Sequence, residues 1–134
     1  MRHYFPSHRV VPILVNYRLG WDEAARLGVA LSRTCDENDL VVLSADFVHN
    51  RTVAEARAID KRSRGCIQSF YMGCTAEYLS RVEMDCRKGF LVLCTFLRAS
   101  GAKDAEILLN ANSGDIFGVG GPVTSYFFVL YGTR

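Results

Sequence analysis

Two places in the chain combine reactive side chains with a setting that would put them to use. The first is Asp46-Phe47-Val48-His49, directly after the apolar run Leu40-Val41-Val42-Leu43-Ser44-Ala45. Such a run reads as a strand inside a mainly parallel sheet, covered on both faces. Open α/β sheets bind ligands outside the carboxyl ends of their strands, which is where Asp46 and His49 would stand. Spaced three residues apart, they can face one crevice from a tight turn. His49 can ligate a divalent metal through its imidazole or shuttle a proton near neutral pH. Asp46 can fix the tautomer of that ring as an outer partner. The plainer account makes Asp46 a turn cap and His49 a polar loop residue.

The second place is Cys86, just ahead of a predicted helix and followed by Arg87 and Lys88. Helix N-terminal N–H groups and nearby cations favour thiolate, the better nucleophile and metal ligand. A buried cysteine in the same position would be an inert space-filler. The cysteines are Cys35, Cys66, Cys74, Cys86 and Cys94, an odd number with no CxxC spacing. A zinc ribbon or a dithiol pair is therefore not expected, and reduced thiols are.

Other patterns carry less. Gly118, Gly120 and Gly121 lack the strand–GxGxxG–helix setting and the lysine that phosphate binding needs. Ser113-Gly114-Asp115 is not a nucleophile elbow. Tyr71, Tyr78, Tyr126 and Tyr131 are scattered rather than arranged to stack nucleic-acid bases. His3 and His8 lie in or near an N-terminus, residues 1–9, that is expected to be flexible.

The elements that must position these residues follow from periodicity. Residues 10–17 (VVPILVNY) form a strand candidate, with Pro12 disfavouring a central place in a sheet. Residues 22–34 carry Ala24, Ala25, Gly28 and Leu31 at helical spacing, one turn after Trp21. Thr52 and Glu55 have the form of a capping box, and Val53, Ala56, Ile59, Cys66 and Phe70 keep a helical period beyond it. Gly65 or Gly73 can split that stretch, and residues 75–82 can form a further short helix. Residues 90–98 (FLVLCTFLR) fit either a strand or a helix, and a buried helix capped at Gly101 is the favoured reading. A short strand at 106–109, a polar turn at 110–115 and a long strand at 123–131 complete the chain.

The expected class is α/β, a partial open mixed sheet with helices packed against it. The 134 residues allow one domain, and because its two central-type strands lack neighbours and cover, it is expected to be part of a larger α/β unit or to have those faces buried by a partner. An apolar fraction of 49 % excludes a wholly disordered chain. The net charge of +2 is too small to imply a nucleic-acid or membrane partner. Residues 10–15 are too short and too interrupted for a membrane span or a secretory signal, so a cytoplasmic location is expected.

Taken in order, the motifs resemble the MEMO-like proteins (mediator of ErbB2-driven cell motility and its relatives), which share a fold with class III extradiol ring-cleavage dioxygenases. The resemblance runs from about Val10 and covers the C-terminal half of a typical member. LVVLSADFVHN is similar to the family's S-S-D-F-x-H signature, with Ala45 in place of the second serine. VVPILVNY resembles its PVLVG-like strand, and AEARAIDK the stretch leading to its LD helix. MDCRKGFLVLCTFLRASGA resembles T-I-C-G-R-x-P and the helix behind it, ANSGDI the SGD turn, and VTSYFFVLY the closing strand. The resemblance implies an iron or copper centre in which His49 and Cys86 are ligands and Asp46 is the acidic residue beside them. The family's other histidines have no match, Arg87 replaces the glycine after the cysteine, and Gly89 or Phe90 stands at the later proline position.

One histidine and one thiolate fall short of the three protein ligands usual in a catalytic centre. The leading expectation is therefore a MEMO-like protein-interaction module, with little or no catalysis. It would use its pocket and an exposed apolar surface for a protein partner or for self-association. The alternative is an iron- or copper-dependent, dioxygenase-like redox protein using His49 and Cys86, with Asp46 in support. A third option is a metal-free Cys86–His49 dyad oriented by Asp46.

Overall fold

The computed structural model describes residues 6–70, 75–118 and 120–132. His3, Tyr71, Gly73, Cys74 and most of the expected flexible N-terminus lie outside them. Among the described residues, four helices precede a two-stranded antiparallel sheet, and a fifth, short helix joins its strands.

Helix α1 (Trp21–Thr34) starts where Gly20 N–H donates to the Glu23 carboxylate at 2.7 Å. Helix α2 (Val53–Gln68) starts with the expected capping box: Thr52 Oγ1 accepts Glu55 N–H, and Glu55 accepts Thr52 N–H. Gly65 does not split this helix. Thr75 caps the single-turn helix α3 (Ala76–Leu79). Helix α4 (Arg87–Ala99) is the buried core helix, with residues 89–95 and Leu97 inside. Gly101, at φ +75°, turns the chain out of it, and Ala102 N–H reaches back to the Leu97 carbonyl at 2.9 Å. Helix α1 crosses α4 closely because Gly28 has no side chain. A Cβ there would come within 1.9 Å of Thr95 Oγ1 and 2.3 Å of the Val92 carbonyl.

Strands β1 (Asp104–Asn112) and β2 (Ser125–Gly132) pair in register from Asp104↔Gly132 to Asn112↔Ser125, with a bulge at Leu108. Directly opposed residues share a face. Ala105/Tyr131, Ile107/Val129 and Asn110/Phe127 therefore look inward, and their apolar members pack on the core. Leu109/Phe128 and Glu106/Leu130 look outward, leaving Phe128 63 % exposed. The polar turn expected from Asn110 is instead the end of β1. The turn proper is helix α5 (Ser113–Phe117), where Asn112 Oδ1 caps Asp115 N–H.

The sheet is smaller than the apolar runs suggest. Residues 10–17 and Leu40–Ala45 are not strands, so the expected interior strand of a parallel sheet is corrected. Val41, Leu43 and Ala45 pack on the core, while Leu40 and Val42 remain 68 % and 57 % exposed. This segment has one covered face, and the apolar residues of its other face meet no layer within the described residues. What remains is a small mixed α/β arrangement, helices packed on a two-stranded open sheet. Among the described residues no helix is long and apolar enough to cross a membrane.

Candidate metal centre

Chain segment 46–51 runs from the end of the half-covered apolar segment to the cap of α2, and β2's N-terminal approach fixes it. Phe47 N–H donates to the Ser125 carbonyl at 3.1 Å, and Ser125 N–H donates to the Val48 carbonyl at 3.0 Å. Beyond them Val123 N–H donates to the Arg51 carbonyl at 2.8 Å. Between these ties the chain turns through Asn50 at φ 56°, a left-handed conformation that asparagine tolerates better than most residues. His49 sits at this bend, and Thr124 lies between the two tied residues of the facing chain.

Thr124 Oγ1 lies 3.3 Å from His49 Nδ1. Ser113 in turn holds both peptide groups of Thr124: its N–H donates to the Thr124 carbonyl at 2.9 Å, and its Oγ accepts Thr124 N–H at 3.1 Å. The tautomer that donates Nδ1–H to Thr124 leaves the Nε2 lone pair free to ligate, the usual way an outer partner prepares a metal-binding histidine. His49 Nε2 lies 3.9 Å from Asp46 Oδ2.

A third donor comes from the segment that leads into α4. Asp85 N–H donates to the Asp46 carbonyl at 3.0 Å, and Asp46 N–H donates to Asp85 Oδ1 at 3.1 Å. This reciprocal pair fastens the Asp85 carboxylate beside Asp46, and the Arg51–Glu83 ion pair at 3.2 Å ties the same two segments again. One donor atom from each of Asp46, His49 and Asp85 lies within 4.8 Å of the others.

Ligands at adjacent corners of a six-coordinate site with bonds of about 2.1 Å stand about 3 Å apart. The donors lie within 4.8 Å of one another, and both Asp46 (45 % exposed) and His49 (42 %) have room to rotate toward a common point. Two carboxylates and an imidazole suit divalent iron, manganese or zinc better than the soft-ligand chemistry of copper(I). The residues present therefore fit a metal ion.

Asp46 and His49 are thus brought together as the sequence suggests, and Asp85 and Thr124 join them unannounced. Asp85 carries one local sign, its place beside Cys86; Thr124 carries none. Cys86 is outside the donor group. It occupies the N-cap of α4, half-buried, without a side-chain cap bond. Its Sγ leans over Gly89, where a Cβ would come within 2.5 Å. Cys66 and Cys94 are buried as expected of small core side chains. Two shallow grooves, one along Ala25–Arg33 of α1 and one beside Arg64 and β1, include none of the donors. Asp46, His49 and Asp85 lie at the surface, in reach of solvent. No protein-family model and no curated protein matches this chain.

Proposed function

We propose that the protein holds a divalent metal ion, iron by the resemblance, between Asp46, His49 and Asp85, and that this centre serves redox chemistry of the dioxygenase-like kind. The observation that carries this reading is the convergence of three donors from two separate chain segments, with the imidazole braced from behind by Thr124. A bound iron would supply open coordination positions and one-electron chemistry. The two carboxylates would offset the ion's charge, and Thr124 would keep Nε2 aimed at it. The resemblance supports the same reading, since Asp46 and His49 stand at the signature positions, with Cys86 next in chain to Asp85. Anaerobic titration of the chain with iron(II) tests it. One equivalent should bind to the parent, and His49→Ala should abolish that binding; an unaltered His49→Ala isotherm would refute the site.

A second reading rests on a different observation. Tyr126, Phe128 and Leu130 of β2, with Leu108 and Leu109 of β1, leave apolar side chains exposed on the outer sheet face. Surfaces of this kind serve protein partners or self-association. Sedimentation should show self-association in the parent that Phe128→Glu removes, and a monomeric parent would count against self-association.

A further inference from the structure

Asp60 is only 2 % exposed, on the face of α2 that meets the sheet. Both of its carboxylate oxygens accept hydrogen bonds: Oδ1 from Ser125 Oγ–H at 2.7 Å and Oδ2 from Asn110 Nδ2–H at 3.0 Å. A buried carboxylate is costly unless so satisfied. The Ser125 branch leads further. Ser125 Oγ, itself fully buried, accepts Val48 N–H at 3.1 Å, and the Ser125 peptide is bonded to Phe47 and Val48 on either side. His49 follows Val48, and Thr124 precedes Ser125. The two members of the Thr124–His49 contact therefore project from the junction that Asp60 fastens.

We propose that Asp60 is a positioning residue for the metal centre, acting through the Ser125 hydroxyl to set where His49 stands against Thr124 and Asp46. This rests on the metal reading for its purpose but not for its geometry. By accepting from Ser125, the carboxylate turns the hydroxyl lone pairs toward Val48 N–H. Val48 is the last residue fixed before the bend carrying His49, held through its N–H by the Ser125 hydroxyl and through its carbonyl by Ser125 N–H. The Asn110 branch ties Asp60 to β1 instead, and Asn110 also donates to the Tyr126 carbonyl at 3.2 Å, away from the bend. The two branches thus separate a positioning role from a merely structural one.

The test compares Ser125→Ala, Asp60→Leu and Asn110→Ala with the parent, in metal-free protein at fixed pH. The readouts are the His49 ring-nitrogen chemical shifts and the hydrogen exchange of the Val48 amide. Ser125→Ala and Asp60→Leu should move the His49 shifts and speed Val48 exchange, while Asn110→Ala leaves both at parental values. Manganese(II) affinity, measured in parallel, should fall about 10-fold in the first two variants, the low end of the effect of removing a ligand's direct outer partner. Asp60→Leu removes both acceptors at similar side-chain shape and serves if Ser125→Ala does not fold. Unmoved His49 shifts in Asp60→Leu, or equal effects from Asn110→Ala, would overturn the proposal. Shifts that move as expected in a chain that binds no manganese would uphold the positioning and refute the metal reading alone.

Discussion

Replacing Asp85 by asparagine removes one charge from the centre and little else. Asparagine still offers an oxygen to Asp46 N–H, now 3.1 Å from Asp85 Oδ1, so the tie between the two segments survives. Two unit charges about 3 Å apart, as for a ligating carboxylate and its ion, attract by about 1.4 kcal/mol in water and about 5.5 kcal/mol at an effective permittivity near 20, and a divalent ion doubles both figures. Asp85 is exposed and its two neighbours are nearly half so, which places the site toward the aqueous limit. The expected loss is therefore about 2–3 kcal/mol, or roughly 30- to 150-fold in affinity. Calorimetric titration with manganese(II) and zinc(II) at low ionic strength reads it directly, with the melting temperature as a check on folding. An Asp85→Asn affinity equal to the parent's, alongside a lost affinity in His49→Ala, would refute Asp85 as a ligand.

The remaining predictions concern the surrounding frame. Cys86→Ser should leave metal affinity unchanged and stabilise the fold by about 0.5–1 kcal/mol, because serine caps a helix that cysteine leaves uncapped; lost metal binding would instead make the thiol a ligand. Gly28→Ala should destabilise by about 1–3 kcal/mol through its clash with Thr95 and Val92. Gly65→Ala, with open space around it, should stabilise by about 0.5–1 kcal/mol, and urea midpoints would read both changes. The Thr52 hydroxyl, then the Thr52 peptide, holds the Glu55 carboxyl below its ordinary 4.5. Its folded value being the lower one, this stabilisation is present above the ordinary value and disappears as pH falls through the folded value. Glu55→Gln should accordingly flatten the acid limb of the stability profile, and a profile parallel to the parent's would contradict the cap.

Helices were legible because their signals are local. The Thr52/Glu55 box, the buried face of 90–98 and the Gly101 exit each need only a few neighbouring residues, and each stands where periodicity puts it. The sheet was less legible, since Leu40–Ala45 is apolar at nearly every position and such a run cannot say whether one face or two is covered. Exposure of Leu40 and Val42 answers that, and it depends on strands that no local pattern supplies. The polar residues Asn110 and Asn112 read as a turn but belong to β1, where they face Asp60 and cap α5. At the site, Asp46 and His49 are near in sequence and visible together. Asp85 reaches them through one peptide and one carboxylate hydrogen bond to Asp46, both formed after the chain has folded.

The most direct test of the metal centre is manganese(II) added below one equivalent to isotopically labelled chain, followed by amide resonances. Paramagnetic broadening should strike Asp46 to Asn50, Asp85 and Thr124 first while the amides of α1 stay sharp. Broadening centred instead on Asp36, Glu37 and Asp39, acidic residues of the exposed turn after α1, or spread evenly over the surface, would contradict it.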